Sequence, residues 1–130
     1  MHVRSSLVIA ILALAACGGD DGGGAIDAPT GMDAPASSVM EVTCPTNPAA
    51  SFITQAASFN PPAATINVGQ IVKFESTATH PIGPFTGDPS MTDPGIVVPE
   101  TKTKCFTFTR VGTFKFICTV HFYVGTLTVN

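Results

Sequence analysis

Cys118 and His121 stand three residues apart, in Cys118-Thr119-Val120-His121, between two runs that alternate like β-strands. A thiolate is a soft donor and an imidazole a borderline one. Held by a loop too short to move far, such a pair suits copper, or less specifically zinc. Two residues do not make a site, so a further donor has to come from elsewhere, and His80 is the candidate. The sequence holds three histidines, and the third, His2, lies in an apolar leader. The elements that would position the pair are legible on either side of it. Phe114, Phe116 and Cys118 share one parity, Leu127 and Val129 alternate with Thr126 and Thr128, and Gly125 marks the return between the two strands.

Residues 1–16 read as a secretory signal. Met1-His2-Val3-Arg4 is basic, and the apolar run from Leu7 to Ala16 is too short to span a membrane. Leu14-Ala15-Ala16-Cys17-Gly18 resembles a bacterial lipobox, which implies cleavage before Cys17 and a lipid on its thiol. The alternative is an ordinary secreted protein with a free Cys17. Residues 17–38, rich in Gly, Asp, Pro and Ala, cannot build a core and read as a flexible tether. The expected location is the cell envelope, on a lipid anchor. Gly18 lacks the Asp that holds many lipoproteins at the inner membrane, which favours the outer membrane with a periplasmic or surface face.

The remaining stretch, residues 39–130, carries five acidic and five basic side chains, so the net charge of −3 resides in residues 1–38, from four aspartates in the tether and Arg4 in the leader. With no basic patch, nucleic acid is not an expected partner. Beyond Cys17 there remain Cys44, Cys105 and Cys118, an odd number for an oxidising compartment. Either Cys118 pairs with one of the others, or Cys44 pairs with Cys105 and leaves Cys118 a thiolate. The second is the expectation adopted, because a thiol that survives export is usually protected by a metal or by burial.

The domain alternates throughout, and no segment shows a sustained helical period. Strands are expected at Val39 to Cys44, Ser51 to Ala57, Thr65 to Glu75, Lys104 to Arg110 and on both sides of the Cys118 loop. Phe59-Asn60-Pro61-Pro62 is a bend, and Gly69-Gln70 a turn or bulge within a hairpin or a strand that crosses sheets. Gly83 to Pro99 reads as a long loop over one end, with at most a short strand. Seven to eight short strands in about ninety residues predict an all-β, Greek-key sandwich with a core of phenylalanines, of which the chain has nine.

Val68-Gly69-Gln70-Ile71-Val72-Lys73-Phe74, His80, Gly112-Thr113-Phe114-Lys115-Phe116-Ile117-Cys118-Thr119-Val120-His121 and Gly125-Thr126-Leu127-Thr128-Val129 resemble the plastocyanin and amicyanin branch of the cupredoxins. The resemblance spans nearly all of residues 39–130. It implies a type 1 copper site with His80, Cys118 and His121 as equatorial ligands, cycling one ion between Cu(I) and Cu(II). The family's methionine after the second histidine is missing, since Met91 is the last methionine. Counted forward from His121 the axial slot falls on Val124; counted back from Gly125 it falls on Tyr123. A weakly filled or empty slot predicts a potential above that of a methionine-ligated relative.

The implied function is a monomeric electron carrier that meets a redox partner protein near His121, through an apolar Phe122-Tyr123-Val124 loop. Two alternatives use the same fold: a copper sequestration or delivery protein, and a sandwich that has lost its metal. A zinc site built from Cys44, Cys105, Cys118 and His121 would leave His80 idle. No nucleophile–base spacing points to an enzyme.

Overall fold

A computed structural model of the chain describes residues 36–130. Nine strands form two sheets: β1 (Val39–Val42), β2 (Ala50–Thr54), β3 (Phe59–Asn60), β4 (Ala63–Ile66), β5 (Ile71–Glu75), β6 (Ile82–Pro84), β7 (Thr103–Phe108), β8 (Gly112–Cys118) and β9 (Val124–Val129). One sheet has the order β1-β7-β5-β2-β3 and the other β4-β9-β8-β6. The all-β sandwich predicted from the alternation is the observed fold, and among the described residues no helix is long and apolar enough to cross a membrane.

One departure from the sequence expectation has a simple cause. The strand count exceeds seven to eight because β3 and β6 span two and three residues, too few for a period to register. Of the two forms expected for Thr65 to Glu75, a hairpin or an edge strand crossing sheets, the structure shows the second: β4 lies at the edge of one sheet and β5 at the centre of the other. The two ends of that stretch make different partners, since β4 runs parallel to β9 while β5 runs parallel to β2 and antiparallel to β7. Gly69, at φ +82°, turns the chain between sheets in a conformation that L side chains rarely adopt.

Seven of the nine phenylalanines are buried: Phe52, Phe59, Phe74, Phe106, Phe108, Phe114 and Phe116. Phe85 and Phe122 stand outside the core, so the core is smaller in aromatics than expected. Phe116 is its centre, edge-on to Phe52, Phe59 and Phe74 with ring centroids 4.8–4.9 Å apart. Such edge-to-face pairs add about 0.5–1.5 kcal/mol each beyond the area they bury. The Phe106/Phe108 and Phe114/Phe116/Cys118 parities both point inward, as period-2 alternation requires.

Gly125 corrects another expectation. It sits inside β9, opposite Phe116, rather than in the turn. A Cβ there would collide with the Phe116 ring and come within 2.9 Å of Phe59, so its role is to admit the central ring.

At the other end of β8, the incoming chain is pinned. The carboxylate of Asp93, itself buried, accepts from the Ser38 amide at 2.7 Å, the Ser38 hydroxyl at 2.8 Å, the Gly95 amide at 2.9 Å and the Ser37 hydroxyl. Burial pushes the Asp93 carboxyl up, but these donors outweigh it and hold it below its ordinary value. Ser37 and Ser38, which the sequence reading assigns to the tether, therefore belong to the folded unit. The signal, Cys17 and the tether up to residue 35 lie outside the described residues.

Cys44 and Cys105 are joined by a disulfide, and Cys118 is a free, buried cysteine. The bridge closes a separation of 61 residues and locks edge strand β1 to β7.

Candidate metal centre

Strand register brings the three donors together. Ile82 on β6 stands opposite Cys118 on β8, and the Thr119 amide continues that ladder to the Pro81 carbonyl at 3.0 Å. His80, one residue before Pro81, is thereby delivered to the Cys118 end of the sandwich. Its backbone is tied on both sides: the Ser76 hydroxyl donates to the His80 carbonyl at 2.9 Å, and the His80 amide donates to Thr77 at 3.2 Å. Thr77 is in turn clamped to β2, its amide donating to the Thr54 hydroxyl at 2.7 Å. Thr79, at φ 64°, lets the chain turn tightly enough for these bonds to form. Ser76, Thr54 and Thr77 were not singled out from the sequence, because isolated hydroxyls carry no periodic signal.

Cys118 ends β8 on the inward parity and is fully buried. The loop after it folds back at once. The Phe122 amide donates to the Cys118 carbonyl at 2.8 Å and the Cys118 amide to the Tyr123 carbonyl at 3.1 Å. Phe122 closes this turn at φ 60°, a left-handed conformation that costs a non-glycine residue about 1–2 kcal/mol. The turn lays His121 over the thiol.

The result is a compact donor set. Cys118 Sγ lies 3.7 Å from His80 Nδ1 and 3.5 Å from His121 Nδ1, and the three ligand atoms fall within 4.8 Å of one another. A metal about 2.0 Å from nitrogen and about 2.3 Å from sulfur, with donor angles of about 110–120°, holds sulfur and nitrogen roughly 3.5–3.7 Å apart. The observed spacing fits. One thiolate and two imidazoles also make the donor set that trigonal copper sites use. Cys44 and Cys105 are committed to each other, so the alternative set with three thiols and His121 is not formed.

The two axial candidates part company. Tyr123 continues the inward parity of Gly125, Leu127 and Val129, whereas Val124 faces outward, pairs with Ile117 and is 41% exposed. The Tyr123 ring packs edge-on against Phe59, its hydroxyl donates to the Gln55 carbonyl at 2.7 Å, and its oxygen lies 3.1 Å from His80 Nδ1. Burial pushes the phenol well above its ordinary value, and hydrogen bonding with Cys118 acts the same way. Met91 belongs to a single 3-10 turn, Pro89–Met91. The neighbouring Pro89 and Ser90 line a surface pocket with Asp93 and Arg110, at the other end of the sandwich.

Burial is graded across the donors: Cys118 is buried, His80 half-buried and His121 exposed. Around His121 lie exposed Val120, Phe122 and Val124, with Phe122 71% exposed. The apolar surface expected from Phe122-Tyr123-Val124 is thus built differently, with Val120 included and Tyr123 turned in.

No protein-family model matches the sequence, and no curated protein matches it. Solved structures do match in shape. Amicyanin from Paracoccus versutus superposes with a TM-score of 0.56 at 17% identity, covering 72% of this chain and 99% of that one. A purple cupredoxin from Nitrosopumilus maritimus matches with a TM-score of 0.50 at 22% identity, covering 62% of this chain and 99% of that one. A reduced Cu(I) form of an amicyanin variant gives 0.57 at 17% identity, over 72% and 100% of the two chains. The chain has the cupredoxin fold, with a His–Cys–His cluster at one end of it.

Proposed function

We propose that this protein is a type 1 copper protein that carries single electrons in the bacterial cell envelope. The observation that carries the reading is the convergence of His80 Nδ1 and His121 Nδ1 on Cys118 Sγ, at 3.7 and 3.5 Å, on a cupredoxin fold. Bound copper would supply a one-electron Cu(I)/Cu(II) couple. The protein's part is to hold one thiolate and two imidazoles in a geometry between those each oxidation state prefers, so that little has to rearrange. Ser76, Thr54 and Thr77 keep His80 in place, the backbone bonds of the Cys118 turn keep His121 in place, and burial excludes water from the thiol.

His121 is the donor that reaches the surface, and exposed Val120, Phe122 and Val124 surround it. A redox partner protein docking on that apolar rim would meet the site through the imidazole edge. The near-cancelling charges of residues 39–130 favour docking by this patch over long-range steering. The envelope location rests on the sequence of the leader: a lipid on Cys17 would hold the domain at a membrane, in the outer membrane's periplasmic or surface face.

Copper titration of the purified protein tests the reading. One Cu(II) per chain, with intense thiolate-to-copper charge-transfer colour and reversible reduction, is the expected result. Colour that fades as copper passes readily to an acceptor apoprotein, without reversible electron exchange, would instead mark a delivery protein. Failure to bind copper would leave a structural sandwich.

A further inference from the structure

A phenol, that of Tyr123, stands beside the three donors. Tyr123 is held from two directions, by the edge of Phe59 and by donation of its proton to the Gln55 carbonyl. With that proton committed, an oxygen lone pair is free toward His80 Nδ1, 3.1 Å away.

Resting on the copper reading above, we propose that Tyr123 supplies a fourth, oxygen donor to the ion, with the Gln55 carbonyl holding the phenol in place. The separation suits that role. An atom 3.1 Å from His80 Nδ1, placed at a right angle to a metal–nitrogen bond of about 2.0 Å, stands about 2.4 Å from the metal, a long axial distance. Val124 is disqualified by its outward parity, and no described methionine is near.

A phenol oxygen is harder than a thioether and stabilises Cu(II) over Cu(I). The potential of the native protein is therefore lowered by Tyr123, the reverse of what an empty axial position implies. The added donor also pulls the ion toward a four-coordinate geometry and weakens its bond to Cys118. It acts as a tuning residue, since the three equatorial donors suffice to hold the ion.

Tyr123→Phe and Tyr123→Met, each loaded with Cu(II), test the assignment against the native protein. Phenylalanine keeps the packing on Phe59 and removes the oxygen. The ratio of the shorter- to the longer-wavelength thiolate-to-copper band should fall by about half or more, and the potential should rise. Methionine restores a donor but no hydrogen bond, so its potential should fall between the other two. If Tyr123 merely orients His80 by hydrogen bonding, the methionine variant will behave like the phenylalanine one, and the assignment is overturned. Spectrum and potential unchanged in Tyr123→Phe overturn it as well, with the copper reading intact. A native protein that takes up no copper overturns both. A crystal structure of the copper-loaded native protein needs no variant: oxygen within about 2.6 Å of the ion supports the assignment, and oxygen beyond about 3 Å refutes it.

Discussion

Ile82 and Cys118 face each other across β6 and β8, and this one pairing sets His80 beside the thiol although 38 residues separate them in sequence. Slipping β6 by one residue would turn its buried Ile82 to solvent and carry His80 away from the cluster. The site is therefore a property of sheet register as much as of the loop that carries Cys118 and His121.

Replacing the thiol is the most direct disruption. Cys118→Ser should abolish the charge-transfer colour, because an alcohol is a hard, weakly acidic donor with no comparable transition. Serine differs from cysteine only in carrying a slightly smaller oxygen in place of the sulfur, so the sheet should survive. Absorption after Cu(II) addition, read together with far-ultraviolet circular dichroism, separates loss of the site from loss of the fold.

Gly125→Ala should cost about 1–3 kcal/mol, because its Cβ would enter the space of Phe116 and Phe59 in a filled core. Denaturant midpoints measure this. A neutral result would mean that the Phe116 ring can withdraw without disturbing the three phenylalanines around it.

Reduction of the Cys44–Cys105 bridge, or its replacement by two alanines, should destabilise the protein by about 4 kcal/mol, as the chain-entropy relation gives for a loop of 61 residues. Against a total of about 5–15 kcal/mol that is a large share. A loss under about 1 kcal/mol would show that the unfolded chain is restrained by other means.

Acid should loosen the Asp93 clamp. Its carboxyl is held below the ordinary value of 3.8, so its contribution is complete above that pH and is lost as pH falls through the lower, folded-state value. Amide exchange at Ser38 and Gly95 should quicken over that acid range, and Asp93→Ala should make both amides fast already at neutral pH. Exchange at Ser38 insensitive to both changes would detach this segment from Asp93.

Phe122→Gly should stabilise the fold by about 1 kcal/mol, since glycine adopts φ 60° freely. It also removes the most exposed apolar side chain beside His121. Unchanged copper colour with slower electron exchange with the partner is the expected pair of outcomes, read by absorption and stopped-flow mixing.

The sandwich was legible wherever strands are long enough to alternate. Phe106 and Phe108, or Phe114, Phe116 and Cys118, announce their inward face directly. Strands of two and three residues, and the parallel pairings of β2 with β5 and β4 with β9, leave no local trace. Nothing local marks Asp93, in a loop of prolines and glycines, as a clamp, because its partners Ser37 and Ser38 lie 55 and more residues away. Which of Tyr123 and Val124 faces inward was readable in principle: extending the parity of Leu127 and Val129 back through Gly125 reaches Tyr123. The hydroxyls that hold His80 were not readable, since their effect depends on how β2 and the segment after β5 meet.

The point at which the chain enters the sandwich has a mechanical consequence. Ser37, Ser38 and Val39 enter at the pole where β7 ends and β8 begins, while Cys118 closes β8 about 20 Å away. A pull transmitted from upstream first meets the Asp93 clamp and then runs along β1, parallel to its ladder, so the bonds to β7 are sheared together rather than unzipped one by one. Just past β1 the Cys44–Cys105 bridge carries the remaining load into β7 covalently. Cys118 and His121 belong to the opposite sheet and its loop, off this line of force. Tension applied from upstream would thus be borne by one sheet, leaving the end that carries His80, Cys118 and His121 unstrained.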